Sequence, residues 1–171
     1  MPRTTSLILP ALVVTLALPV RAEGRGPSTP QERDRVLALA ASAAQDPLGT
    51  YARDGRWFDQ WLDQIPDLTF GPEAPARWCE SNAKGDLRRL MRFEYELGGV
   101  VYQIQHQVPQ ARTLEEKLAV HQAALEQVLK AYASLRDAKP ENRSPKMDEA
   151  LALRDKGELP AFVKSLFEGG R

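Results

Sequence analysis

Residues 83–135 constrain the fold most, because apolar residues recur there at helical spacing on both sides of a single proline. Steps of four and three residues place such side chains on one face of a helix. Pro109 disfavours helical geometry in the residue before it, so the first helix has to end there. We therefore predict a hairpin of two long antiparallel helices. The stripes are Ala83, Leu87, Leu90, Glu94, Leu97, Val101, Ile104 and Val108 in the first arm, and Leu114, Leu118, His121, Leu125, Val128, Tyr132 and Leu135 in the second.

The other helices are predicted from their end signals. Thr29 and Thr113 are each followed three residues later by a glutamate, which is the pattern of a capping box at a helix start. We predict a helix that begins at Pro30, an aromatic helix over residues 54–65, and two short helices that end at residues 157 and 169. Residues 77–79 are predicted to begin the long helix or to form a short turn before it. The predicted fold is all-α, an antiparallel bundle of about four main helices built on the hairpin, with a short C-terminal helical pair.

Glu94, the pair Gly98-Gly99 and His121 interrupt the two stripes. A buried carboxylate is costly unless it is paired, and each glycine inside a helix costs roughly 1 kcal/mol relative to alanine. Antiparallel pairing of the arms places His121 close to the level of the glycines, where the opposite helix has no side chains. We therefore predict a pocket there, with Glu94, Gly98, Gly99 and His121 as candidate ligand-binding residues.

Each interruption also has a purely structural interpretation. His121 can be a core histidine that is hydrogen-bonded to Tyr102, Gln105 or a backbone carbonyl. Glu94, which the same pairing places near residues 127–128, can reach solvent or a neighbouring cation. The cations near it in sequence or in the pairing are Arg88, Arg89, Arg92 and Lys130.

The N-terminal segment has the pattern of a signal peptide. Arg3 supplies a positive start, residues 6–20 are apolar, and small residues precede a cleavage site that we predict after Ala22. A retained membrane anchor is the alternative, but the run is shorter than the roughly 20 residues that a span needs. We therefore predict a signal peptide over residues 1–22, one helical domain over residues 23–171, and a periplasmic or secreted protein without a stable membrane anchor.

Charge and cysteine content exclude several classes of protein. The chain has 23 basic and 23 acidic residues, and removal of Arg3 and Arg21 leaves 21 against 23, a net charge of −2. Such a balance gives no basic surface for nucleic acid. Cys79 is the only cysteine, so the fold does not depend on an internal disulfide. We predict a partly buried free thiol beside Trp78, with an intermolecular disulfide or a reactive thiol as the alternative.

The two histidines do not predict a shared metal site. In the simple hairpin, His106 and His121 differ by ~10 Å along the helix axis, whereas zinc needs each imidazole at about 2.0–2.1 Å. The CxxCH signature is absent, so covalently attached haem is excluded. We predict no metal and no cofactor. A non-covalent haem or metal site that uses His121 is the alternative.

No sequence motif names a reaction. Trp57 and Trp61, one turn apart, are predicted to fill the core, although such a pair could also hold a sugar or an apolar ligand. The prediction is a non-catalytic binding or interaction protein, with a partner protein or a small ligand on the bundle surface. A hydrolase that uses Glu94 and an unidentified second acid is a further alternative. Oligomeric state does not follow from the sequence.

Overall fold

The fold is all-helical, as predicted. The computed structural model describes residues 25–68, 73–85 and 87–169, so the predicted signal peptide lies outside the described residues. Within these ranges there are seven α-helices and no strand, and a short 3-10 turn at Pro140–Asn142 joins the fifth helix to the sixth. The helices are α1 (Pro30–Ala43), α2 (Pro47–Gln64), α3 (Ala74–Asn82), α4 (Leu87–His106), α5 (Leu114–Ala138), α6 (Pro145–Asp155) and α7 (Leu159–Gly169).

Side-chain caps set the starts of three helices. Thr113 and Thr29 both form the predicted capping boxes, in which the threonine hydroxyl and a glutamate carboxylate each accept a backbone N–H. The aromatic helix α2 begins at Pro47, seven residues before its predicted start at residue 54. Asp46 caps this helix by accepting a hydrogen bond from the Gly49 N–H at 2.9 Å, and proline suits the first helical turn.

The first arm of the hairpin begins at Leu87, four residues after the first residue of the predicted stripe, Ala83. Ala83 is the C-terminal cap of the separate helix α3, which contains Trp78 and Cys79. Gly85 follows with a φ of 49°. This left-handed backbone conformation ends one helix and lets the chain turn before the next one starts.

Helix α4 is the centre of the structure, because it packs against α1, α2, α3 and α5. The stripe predicted from the sequence describes only part of the buried surface of α4, because α1, α2 and α3 cover further parts of the helix while Arg88, Arg89 and Arg92 remain exposed. The buried residues of α4 are Leu90, Met91, Phe93, Glu94, Tyr95, Leu97, Gly98, Gly99, Val100 and Gln103. Burial on several sides explains why polar and small residues on this helix are enclosed together with the apolar ones.

Helix α5 joins α4 to the C-terminal pair α6 and α7. The Tyr132 hydroxyl accepts a hydrogen bond from the Ser144 N–H at 2.9 Å and lies 2.9 Å from Oδ1 of Asp148, to which it donates. Leu114 was predicted to lie on the buried stripe but is 55% exposed. It occupies the first turn of α5, opposite the point where α4 ends. No helix within the described ranges combines the length and apolar character of a membrane span.

Candidate functional site

His121 is fully buried between three helices. The Tyr95 hydroxyl of α4 is hydrogen-bonded to Nδ1 of His121, and the Phe167 ring of α7 lies edge-on with its centroid 5.2 Å away. Oε2 of Glu73, at the start of α3, is 3.9 Å from Nε2. The expected partners Tyr102 and Gln105 are therefore wrong, since Tyr95, which the four-and-three stripe omits, occupies that position.

The surroundings of His121 determine its protonation state. Burial lowers the pKa of His121 to about 4, with Glu73 opposing the change and Lys117 adding to it. Burial also raises the pKa of Tyr95 far above its ordinary value, so the phenol keeps its proton. The phenol therefore donates to Nδ1 of a neutral imidazole, whose own N–H is on Nε2 and faces Glu73. Lys117 pairs with the other oxygen of Glu73 at 2.9 Å.

The order carboxylate, imidazole, hydroxyl is the one found in nucleophilic enzymes. Here the hydroxyl belongs to Tyr95, which is 2% exposed, and the imidazole is fully buried. A nucleophile has to contact its substrate, and this phenol is enclosed by the protein. The arrangement is therefore suited to fixing α3, α5 and α7 against α4.

Glu94 is also fully buried, and one of its oxygens has a partner. The Gln127 side-chain amide donates to Oε2 at 2.8 Å, which confirms the predicted proximity to residues 127–128. Among the described residues, Oε1 has no hydrogen-bond partner. Burial raises the pKa of Glu94 to about 7, against the lowering effect of the Gln127 hydrogen bond.

The expected solvent contact or cation for Glu94 is wrong. No ion pair of Glu94 occurs in the described part of the chain, and Arg92 instead pairs with Glu96 at 2.9 Å. The hairpin stripe includes Glu94 and omits Glu96, but it does not show how completely α5 and the other neighbouring helices enclose the Glu94 carboxyl group.

The space expected beside the glycines is filled by α5. A Cβ atom added at Gly98 would lie 2.6 Å from Cβ of Gln127, 3.0 Å from the backbone oxygen of Ala123 and 3.1 Å from Cα of Ala124. Gly98 is therefore a point of close helix approach, and the pocket predicted at this position is wrong. Gly99 is buried as well.

Two of the four predicted site residues, Glu94 and Gly98, are both in contact with Gln127. The contacts of His121 described above are made with other residues. No group of three or more His, Cys, Asp or Glu side chains in the described ranges could hold a metal ion. His106 is exposed, and its ring stacks on Tyr102 with centroids 4.1 Å apart. Cys79 is a free thiol, as predicted, but it is fully rather than partly buried, and burial strongly raises its pKa.

A concave site that the sequence did not predict lies between α2 and α4. This α2–α4 groove has a volume of about 380 Å³, within the range of small-molecule sites. The half-buried ring of Tyr51 forms an aromatic wall, and the buried Phe93 ring lies behind it with ring centroids 5.3 Å apart. The complete lining is Tyr51, Asp59, Leu62, Asp63, Arg89, Arg92, Phe93 and Glu96.

Charges of both signs face the groove. Arg92 and Glu96 neutralise each other, whereas Asp59, Asp63 and Arg89 form no ion pair among the described residues. Burial raises the pKa of Asp59, with Asp63 adding to the change and Arg92 opposing it. The spacing of Asp59 and Asp63 is visible in the sequence, but the packing of α2 on α4 that brings Arg89 to them is not.

A second concavity, of about 250 Å³, lies beside the 3-10 turn and is lined by Arg136, Asp137, Pro140 and Arg143. Its charges are already paired within the protein. Arg136 contacts Asp137 at 2.9 Å and Asp148 at 3.1 Å, and Arg143 contacts Asp148 at 3.5 Å. The α2–α4 groove is therefore the better candidate for a ligand.

Comparison with known proteins adds no functional information. Neither the protein-family models, the curated proteins nor the solved structures give a match to this chain.

Proposed function

We propose that this chain is an exported, non-catalytic binding protein that holds a small ligand in the α2–α4 groove. The observation that carries the proposal is the combination, in one concavity, of an aromatic wall with unpaired charges of both signs. The N-terminal pattern, with cleavage expected after Ala22, supports a periplasmic or secreted location.

The surface favours a small ligand over a large apolar protein partner. Among the described residues, Leu48 and Leu114 are the large hydrophobic side chains that are strongly exposed, at 49% and 55%. They lie in the first turns of two different helices, α2 and α5. Apolar protein-binding surfaces are usually contiguous patches, and these two residues do not provide evidence of one.

The lining indicates the chemistry of the ligand. A positive group can approach Asp59 and Asp63, and a negative group can approach Arg89. An apolar body can lie against the half-buried side chains of Tyr51 and Leu62. The groove lining contains no serine, cysteine or histidine, so it lacks the nucleophile and base pairs that those residues form. We propose a zwitterion with an apolar side chain, such as an aromatic amino acid or a short peptide.

The expected affinity is modest, because ion pairs that remain partly in water contribute about 0.2–1 kcal/mol each. Two such pairs together strengthen binding by roughly 2- to 30-fold, since 1.4 kcal/mol is a factor of ten in affinity. Three probes of the same shape separate the charge requirements: phenylalanine has both charges, phenethylamine has only the positive one, and 3-phenylpropionate has only the negative one. Calorimetric titration should give the tightest binding for phenylalanine.

Variants of the groove test which charge contacts which group. Asp63→Asn should weaken phenethylamine selectively, and Arg89→Gln should weaken 3-phenylpropionate selectively. Asp155→Asn, an exposed change on α6, serves as the matched control and should leave all three unaffected. Failure of all three probes and of short peptides to bind, or binding that is insensitive to both groove variants, would contradict the proposal.

A further inference from the structure

A second feature, independent of the proposed binding function, is the buried carboxyl group of Glu94. It lies in the middle of α4, is 0% exposed, and has one oxygen without a hydrogen-bond partner. An ionised carboxylate in such a position is costly unless a cation or several donors compensate it. Within the described ranges, the neutral amide of Gln127 is the one group that donates a hydrogen bond to Glu94.

The position of Gln127 depends on Gly98. The Cβ of Gln127 occupies the space that a side chain at Gly98 would need, and its amide reaches Glu94 about one turn further back along α4. The backbone of α5 at Ala123 and Ala124 also lies close to this glycine. Separation of α4 and α5 near Gln127 would therefore expose Glu94 to water.

The groups that face Glu94 offer little compensation for a negative charge. From α5 the recorded polar group is Gln127, and the described parts of α1, α2 and α3 provide no ion-pair partner. The cations closest in the hairpin, Arg92 and Lys130, are both exposed, and Arg92 is engaged with Glu96. Burial and the Gln127 hydrogen bond are the causes that act on the carboxyl group.

We propose that Glu94 is a proton-controlled latch of the α4–α5 hairpin: it is neutral in the closed hairpin, and its ionisation loosens the contact between Gln127 and Gly98. The pKa of Glu94 is about 7 in the closed hairpin against an ordinary value of 4.5, so the ratio of open to closed hairpin rises between these two pH values and levels off above 7. A difference of this size corresponds to a change of roughly 300-fold in the ratio of open to closed hairpin.

The direct test is a carbon-13 NMR titration of the Glu94 side chain in the folded protein. We expect a midpoint near pH 7 and, over the same range, faster hydrogen exchange around residue 127 than the intrinsic pH dependence of exchange explains. A midpoint between about 4 and 5, as for a solvated glutamate, would overturn the proposal. So would titration near 7 without any change in exchange.

Two variants separate the latch from a simple packing role. Glu94→Gln keeps the shape of the side chain but cannot ionise, so hydrogen exchange near residue 127 should lose its excess pH dependence. Glu126→Gln, on the same turn of α5 as Gln127, is the matched control and should retain it. Gln127→Leu removes the donor and should move the midpoint of Glu94 upwards. If Glu94→Gln does not fold, the wild-type titration and Gln127→Leu still decide, since an unchanged midpoint in Gln127→Leu refutes the proposed contact.

Discussion

Replacement of His121 by asparagine should show that His121 and Glu94 change the stability of the protein with pH in opposite directions. His121 takes up a proton near pH 6.5 in the unfolded chain but only near 4 in the folded protein. Its contribution to stability is therefore present above pH 6.5 and is lost as pH falls through 4. In the folded protein Glu73 and Lys117 face the imidazole, and their opposing effects on its pKa are smaller than that of burial.

Glu94 has the opposite dependence on pH. Its pKa is raised from 4.5 to about 7, so its contribution is present below pH 4.5 and is lost as pH rises through 7. Each of these two changes corresponds to roughly 3 kcal/mol, since a tenfold change in an equilibrium is 1.4 kcal/mol. Between pH 4.5 and 6.5 one proton is taken up and one is released on unfolding, so the two contributions cancel in the wild-type protein.

The Oδ1 atom of an asparagine at position 121 can still accept a hydrogen bond from the Tyr95 phenol, but the side chain does not titrate. Urea unfolding, followed by tryptophan fluorescence at a series of pH values, gives the free energy of unfolding of each protein. The free energy of unfolding of His121→Asn relative to wild type should rise by roughly 3 kcal/mol as pH falls from 7 to 4. The difference cancels the contributions of carboxylates elsewhere. A difference that is constant with pH would refute the reasoning.

Two further changes test the packing of the hairpin and its neighbours. Gly98→Ala should lower the free energy of unfolding by about 1–2 kcal/mol, because the clash with the α5 backbone exceeds the gain in helix propensity. In the control Gly169→Ala, the added Cβ meets no atom within 4 Å, so the free energy of unfolding should change by less than about 0.5 kcal/mol. Equal effects of the two substitutions would contradict the close approach of α5 to Gly98. Tyr132→Phe should lower the free energy of unfolding by about 1–3 kcal/mol, because the Ser144 N–H loses its acceptor; an unchanged thermal unfolding temperature would show that this hydrogen bond does not stabilise the C-terminal pair.

The sequence predicts those parts of the fold that depend on local signals. The capping boxes at Thr29 and Thr113 locate two helix starts, and Pro109 locates the end of the first arm. Antiparallel pairing about the turn also places Glu94 beside Gln127. These predictions hold because caps, prolines and helical periodicity act over a few residues or along one pair of helices.

The candidate site could not be predicted in the same way. The α2–α4 groove requires Asp59 and Asp63 of one helix to face Arg89 of another, and no pattern in the hairpin specifies how α2 lies on α4. The sequence pattern predicts open space beside Gly98, whereas this glycine allows closer contact between α4 and α5. A glycine in a helical stripe is compatible with either a pocket or a close helix contact, and the distance of the neighbouring backbone decides between them.

The central claim is that a ligand binds in the α2–α4 groove, whereas Glu94, Gly98 and His121 form the interior of the protein. Side-chain NMR spectra recorded during a titration with phenylalanine test this claim most directly. Resonances of Tyr51 and Phe93 should shift with the ligand concentration, while the imidazole resonances of His121 stay unchanged. Shifts at His121 without any at the two groove aromatics would contradict the account.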